Sequence, residues 1–363
     1  MRSTELRISR GTLTRNARTI RAALDPRVRL MAVVKADAYG HGLVEAARAF
    51  LAGGAQFLAV AMEEEALELR AAGMDCGILI LGGAEVSSIA DAVACGASQA
   101  IYTPRMLLEL RDAAVKQGRR AKAHLKVDTG MSRIGVRGEA GLRELIALWR
   151  QCPEVEMEGI FTHFCASEND PEFTASQAAA FERAVALARG QGFRPIAHAA
   201  ATGAFMDPRY QYDMVRPGIA MYGSNSPVEG VEFAQTLAAR PVRLERIAKG
   251  DSVSYGRTFR AERDTLVMTV PIGYGDGYPR ALSGKAQAIV RGKRVNQIGR
   301  VCMYMVMFDV TDVPDVSLED EVVLLGAQGD QRITPDELAA LTDTIPYEIM
   351  LGFLPRVRRV YED

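Results

Sequence analysis

From residue 28 to about residue 220 the chain alternates short apolar, often β-branched runs with longer segments of helical periodicity. The apolar runs predict strands over 30–35, 57–61, 77–81, 97–102, 122–127 and 157–163, with two shorter ones at 195–199 and 212–216. Between them lie helix-like stretches such as LVEAARAFLA, EEALELRAA and PRMLLELRDAAVKQG. A further one, TASQAAAFERAVALARGQG, is expected to start with Thr174 as its N-cap and to end in glycine. Eight strands with helices between them predict a (β/α)8 barrel. An open sheet is the alternative, because the seventh and eighth strands are the shortest. No GxGxxG follows the first strand, which argues against a dinucleotide-binding fold.

Near residue 235 the pattern changes. Short strand-like pieces separated by Gly, Pro and Asp replace the helical periodicity, as in ARPVRLERIAKGDSVSYG, DTLVMTVPIGYGDGYP and DEVVLLG. A length of 363 residues also exceeds what one core usually holds. Two domains are therefore expected: a barrel over 11–233 and a mainly-β domain over 234–363, joined by a strand from 1–10.

Composition excludes several classes. Lys plus Arg number 44 against 45 acids, so no net charge draws the chain to nucleic acid. No apolar run exceeds strand length, so no membrane span is expected, and the first residues contain no apolar signal core. The five cysteines lack CxxC spacing, which fits a reduced cytoplasmic compartment. The four histidines form neither HxH nor HxxxH, so no metal site is expected.

In a barrel, chemistry gathers at the C-terminal ends of the strands. Those ends carry Lys35, Tyr102, Lys126, His163, Thr202 and Arg216. A lysine closing an apolar strand is often a snorkelling surface residue. An apolar wall, however, also lowers an amine's pKa and frees it for covalent chemistry with a carbonyl. Around it stands AVVKADAYGHG. This stretch resembles the cofactor-attachment signature of the alanine racemases, fold-type III pyridoxal-phosphate enzymes, with Lys35 as the attachment lysine.

The resemblance extends over nearly the whole chain and implies the remaining roles. LKVDTGMSRIG implies that Arg133 lies near the substrate carboxylate and the cofactor's phenolic oxygen. It also implies that Lys126 is the lysine often carbamylated in the family. FTHF places His163 by the cofactor ring. RPGIAMYG sets Arg216 opposite the pyridine nitrogen and directs the Gly218 and Ile219 amides at the phosphate, with Thr202, Tyr39 and Tyr347 adding hydroxyls. DSVSYGRTF makes Tyr255 a second base, opposite Lys35 across the substrate's Cα. A phenol's ordinary pKa of about 10 calls for nearby cations, and Arg216 acting through His163 is the expected relay. PIGYGDGYPR carries Tyr274 and Arg280 to the substrate entrance, and GRVCM offers the Met303 amide to the substrate carboxylate. A homodimer with shared sites, a small amino-acid substrate and a D-alanine supply role for the bacterial cell wall complete what the resemblance implies.

Two places depart from the family pattern. An acid and a polar residue usually follow the CM pair, where this chain has Tyr304 and Met305. The strand-seven block, usually HxANS, reads HAAAT from His198 to Thr202. Tyr304 leaves substrate breadth open, with serine or lysine racemisation as alternatives. Tyr304 is expected to lie along a dimer contact rather than in the pocket wall. A decarboxylase of the same fold would place an acid where Arg216 stands. A non-enzymatic cofactor carrier would lack the β domain that bears Tyr255.

Overall fold

The alternation of apolar and helical segments folds into parallel βα repeats. We label the barrel strands β1 (Arg29–Val33), β2 (Phe57–Val60), β3 (Gly77–Ile80), β4 (Ser98–Ile101), β5 (Ala121–Asp128), β6 (Val155–Phe161), β7 (Ile196–His198) and β8 (Met214–Val215). Neighbours pair in parallel in the order β8-β1-β2-β3-β4-β5-β6-β7. Single backbone bonds join the two ends of the sheet. Asp213 N–H donates to Ala197 O at 3.0 Å, and Arg216 N–H donates to Ala200 O at 2.9 Å. The result is a (β/α)8 barrel. β8 is short because Pro217 follows Arg216 and has no N–H to extend a ladder. The computed structural model describes residues 3–82 and 89–363.

Most strand residues are buried on both faces, as in β1, where Leu30, Met31 and Ala32 are wholly excluded from solvent. Helix Pro104–Gln117 begins where Thr103 Oγ1 accepts from Met106 N–H at 3.2 Å and ends at Gly118, with φ 62°. The longest helix, Pro171–Gly190, starts earlier than its periodicity predicts. Its cap is Asp170, whose carboxylate accepts from Phe173 N–H at 2.9 Å, while Thr174 sits inside the helix and donates its hydroxyl to Asp170 O. The Asp170-Pro171 pair supplies a cap and a pre-set first residue together, and so outcompetes Thr174.

The barrel unit comprises Leu13–Ala38 and Gly42–Val231 among the described residues. The second unit contains residues 3–12, Tyr39–His41 and Glu232–Asp363. Its ten-stranded sheet is antiparallel except where Glu5–Ser9 pairs in parallel with Arg358–Glu362. Leu6, Leu237, Met268, Phe308, Val323 and Leu324 fill its core. The expectation that helical structure stops near residue 235 needs correction. Helices Pro335–Thr342 and Pro346–Leu351 lie in this unit, each started by a proline, the first capped by Thr334 Oγ1 on Glu337 N–H.

Candidate active site

Lys35 does not end the first strand, as its apolar lead-in predicts. β1 stops at Val33, and Lys35 opens a short helical turn. Ala36, Asp37, Ala38 and Tyr39 in that turn all have φ between 51° and 54°. Four consecutive non-glycine residues in the left-handed region cost roughly 1–2 kcal/mol each. Such strain persists only where surrounding bonds over-determine it, which is typical of functional sites. Ala38 N–H donates to Val34 O, and the Asp37 carboxylate accepts from Leu43 N–H, both at 2.9 Å. Ala36 N–H donates to Glu65 Oε1 at 2.6 Å.

Cations dominate the strand ends. Burial first, and then Arg133, hold the Lys35 amine below the ordinary lysine range, while Glu65 opposes them. Lys126, 4% exposed at the end of β5, is brought down to about 7 by burial and then by Arg216 and Arg133, against the pull of Asp128. Burial keeps the His163 ring neutral, reinforced by Arg216, Lys126, Arg133 and Lys35. Phe161 supplies the common wall: Lys126 Nζ lies 4.9 Å and the Arg216 guanidinium carbon 5.4 Å from its ring centre. Arg133 is exposed, on a loop ordered by Asp128, whose Oδ1 accepts from Gly130 and Ser132 N–H at 3.0 Å each.

The expected relay from Arg216 through His163 needs correction. The buried guanidinium donates to His198 Nδ1 (2.8 Å), Thr162 O (2.8 Å) and Ala199 O (3.0 Å). From there the polar chain runs inward: His198 Nε2 meets His124 Nδ1 at 2.8 Å, and His124 Nε2 meets Glu158 Oε2 at 3.2 Å. Glu158 is also bonded by Lys122 Nζ at 2.7 Å and by the Ser98 hydroxyl. His124, Glu158 and Glu65 lie outside the family-like blocks, and Asp128 lies within LKVDTGMSRIG with no role implied for it there. A histidine inside an apolar strand, as in AHLKV and IAHAA, was the available signal for an interior polar chain.

Thr202, Gly218 and Ile219 gather where the eighth repeat begins. Thr202 Oγ1 accepts from Gly218 N–H at 3.1 Å and from Ala220 N–H at 3.4 Å, at the start of the 3-10 helix Ile219–Tyr222. Two of the predicted phosphate donors are thus mutual partners here. A hydroxyl and amides at a helix start form a donor set suited to a phosphate.

In the second unit, Tyr39 and Tyr347 come together with ring centres 5.6 Å apart. Tyr255 stands 71% exposed in a turn where Ser254, Gly256 and Arg257 have φ of 66°, 71° and 50°. The Ser254 hydroxyl ties that turn to Arg300 O at 2.7 Å. Met303 is exposed in a turn closed by Cys302 N–H on Met305 O at 2.9 Å. Tyr274 N–H and Gly275 N–H donate to Cys302 O and Met303 O, joining the two turns. A Cβ on Gly275 would lie 2.7 Å from the Tyr304 ring, so only glycine allows this approach. Arg280 is exposed at the start of the 3-10 helix Arg280–Leu282. Among the described residues no acid, histidine and cysteine cluster is arranged to hold a metal ion. None of their helices is long and apolar enough to cross a membrane.

A (β/α)8 barrel with a cationic site at its strand ends, followed by a β-rich unit, defines the class of this protein. Residues 8–226 match the family model for the alanine racemase N-terminal domain, and residues 234–361 match that for the C-terminal domain. Alanine racemase 2 of Caldanaerobacter subterraneus subsp. tengcongensis is 38% identical over 369 aligned positions, covering 99% of this chain and 95% of that protein. The solved alanine racemase of Bacillus anthracis with bound L-Ala-P superposes with a TM-score of 0.91 at 32% identity, covering 100% and 96% of the two chains. That of Bartonella henselae with covalently bound pyridoxal phosphate gives 0.88 at 28%, covering 99% of each. The chain belongs to the alanine racemase family.

Proposed function

We propose that this protein interconverts L- and D-alanine with pyridoxal 5′-phosphate, using Lys35 and Tyr255 as two bases on opposite faces of Cα. One observation carries the reading. At the barrel's strand ends Arg133 lowers the Lys35 amine, Arg216 and Arg133 lower the Lys126 amine, and all four cations act on His163, with Glu65 and Asp128 as the carboxylates felt there. Such a cluster suits an occupant bearing phosphate and carboxylate charges. When bound, pyridoxal phosphate supplies an aldehyde for attachment and a conjugated ring that withdraws electrons from Cα.

The rest is the work of this chain. The Lys35 amine, its pKa lowered by burial and then by Arg133, would hold the cofactor and move the Cα proton at Nζ on one face. Tyr255 Oη moves it on the other. Arg133 and the Met303 amide hold the substrate carboxylate. Thr202, Ile219, Gly218, Tyr39 and Tyr347 take the phosphate, and Tyr274 and Arg280 guard the entrance. Arg216 would face the cofactor's pyridine nitrogen as a donor, and because a guanidinium does not give up its proton near neutral pH, it would leave that nitrogen unprotonated and restrain side reactions. Lys126, brought down to about 7, has a lone pair free to attack carbon dioxide. An N–C bond forms and a proton leaves, and the resulting carbamate anion braces Arg133.

The barrel over 11–233 would hold the cofactor, and 234–363 with 1–10 would carry Tyr255 to the site of a partner subunit in a cytoplasmic homodimer. There the protein would supply D-alanine for the cell wall. Racemisation of serine or lysine as well is the alternative, raised by Tyr304 standing in place of the usual acid. Loss of optical rotation of L-alanine with the purified protein tests the function. Lys35→Ala should abolish turnover and the visible absorbance of attached cofactor together. Cofactor fixed by borohydride on a peptide lacking Lys35 would refute the assignment.

A further inference from the structure

We infer that Glu65 is a positioning residue for Lys35: its carboxylate clamps the left-handed turn that follows the lysine and so fixes the path on which the amine is presented. The inference rests on the reading of Lys35 as the attachment lysine.

The two oxygens of this carboxylate do different things. Oε2 accepts from Ala61 N–H at 2.7 Å and Met62 N–H at 3.1 Å. That is the ordinary use of a glutamate at the third position of a helix, here Glu63–Ala71. Oε1 leaves this element altogether and accepts from Ala36 N–H at 2.6 Å. A helix cap has no need of that third bond. Ala36 is the residue directly after Lys35 and the first of the four with φ near 52°. Of Ala36, Asp37, Ala38 and Tyr39 only Asp37 is a residue type that tolerates the left-handed region, and none is glycine, so residue type does not favour four such residues in a row. The turn must be imposed from outside, and a charged acceptor on its first amide is a strong way to impose it. Glu65 therefore links the ends of β1 and β2 at the point where the reactive amine departs. It also places a negative charge near that amine, opposing burial and Arg133.

Two variants separate the clamp from the cap. Glu65→Gln has one acceptor oxygen, so it must give up either Ala36 or the helix start. Glu65→Asp keeps the charge on a side chain one methylene shorter, which can serve Ala61 and Met62 but falls short of Ala36. The full-length protein loaded with pyridoxal 5′-phosphate is compared with both by amide hydrogen exchange at Ala36 and Ala61, by the rate of cofactor loss on dialysis, and by thermal melting. In Glu65→Asp the expected result is Ala36 exchange and cofactor loss about ten-fold faster, the size of a lost charged hydrogen bond. Ala61 protection and the melting temperature should stay close to the parent's. If Glu65→Gln fails to fold, Glu65→Asp alone decides. Parent-like exchange at Ala36 together with parent-like cofactor retention overturns the inference. Borohydride fixation followed by peptide mapping of the parent distinguishes the two levels. Cofactor on another lysine brings down the functional reading and this inference with it, whereas cofactor on Lys35 with unaffected variants brings down this inference alone.

Discussion

The Arg216 guanidinium donates to Nδ1 of His198 at 2.8 Å, and because arginine can only donate, that bond fixes His198 as the tautomer with its proton on Nε2. The consequence propagates. His198 Nε2–H must donate to His124 Nδ1, so His124 carries its proton on Nε2 and donates to the Glu158 carboxylate. Both rings stay neutral, since burial, the first cause in each, lowers their pKa. Every bond in the chain points the same way, from Arg216 toward an anion inside the barrel. A guanidinium held at the end of such a chain is oriented by a group it never touches.

Glu158→Gln tests that orientation. Burial alone would raise the Glu158 carboxyl, but hydrogen bonds from His124, Lys122 and Ser98 outweigh it and hold the carboxyl far below the usual range. A carboxyl depressed in the folded state contributes stability above its unfolded pKa of about 4.3 and loses it as pH falls toward the folded value. The glutamine variant should be about 1–3 kcal/mol less stable at pH 7, with the gap narrowing below about pH 4. Urea melts at several pH values measure this, and a gap independent of pH would refute it. Gly159→Ala attacks the same chain sterically. Its Cβ would lie 2.2 Å from His124 Nδ1, so His124 must move, at a cost of about 1–3 kcal/mol.

Local patterning made the barrel legible, because each βα repeat carries its own alternation of periods. The block around Lys35 that resembles the family's attachment signature is legible for the same reason: its residues are contiguous. The turn after Lys35 was not, since its left-handed φ values are imposed by bonds to Glu65 and Val34 rather than by residue type. The Arg216 chain was also hidden. His198 and His124 lie 74 positions apart, and Glu158 comes from a third strand, so only the side-by-side pairing of β5, β6 and β7 brings them together. Thr174 was a reasonable cap on composition, yet Asp170 with Pro171 won locally.

Lys126 should leave a mark on stability at alkaline pH. Its folded pKa of about 7 lies below the unfolded value of about 10.4. The unfolded chain therefore binds more protons between those values, and stability rises with pH across that window. The destabilisation is fully present below pH 7 and is relieved toward pH 10. Lys126→Met should remove this slope and raise stability near neutrality, by an amount on the order of a few kcal/mol. Carbamylation would hide the effect, so melts are compared with and without bicarbonate. Bicarbonate should flatten the slope in the parent and do nothing to the methionine variant.

Tyr255→Phe should keep the cofactor bound and reduce racemisation by at least about 100-fold, the scale of a lost general acid–base group. Deuterium from solvent should still enter Cα on the face served by Lys35. Near-parent turnover would remove Tyr255 from the mechanism. Because Tyr255 is expected from a partner subunit, mixing Lys35→Ala chains with Tyr255→Phe chains should restore part of the activity as subunits exchange. No recovery despite demonstrated exchange would rule out the shared site.

Tyr304 stands where an acid is usual, and its surroundings in the second unit argue for an anchored ring. The Arg356 guanidinium lies 4.8 Å from the ring centre, and its Nη1 donates to the Tyr304 hydroxyl at 3.2 Å. Arg356 Nε in turn sits 3.2 Å from Oδ1 of the fully buried Asp276 carboxylate. The arginine is thus clamped between a buried acid and an aromatic face, and its packing restrains the ring. A side chain held this way is poorly placed to adjust to different substrates, while 42% of its surface remains exposed for a partner. Tyr304→Asp should leave the relative turnover of alanine, serine and lysine within about two-fold of the parent. The dimer should dissociate more readily on dilution, since removing an aromatic from an interface typically costs about 1–2 kcal/mol or more. Tyr304→Phe keeps the stack on Arg356 and loses only the weak hydroxyl bond, so its dimer should stay close to the parent's. Activity assays with the three amino acids and sedimentation over a dilution series measure both effects. A shifted substrate preference with unaltered dimer affinity would place Tyr304 in the pocket wall instead.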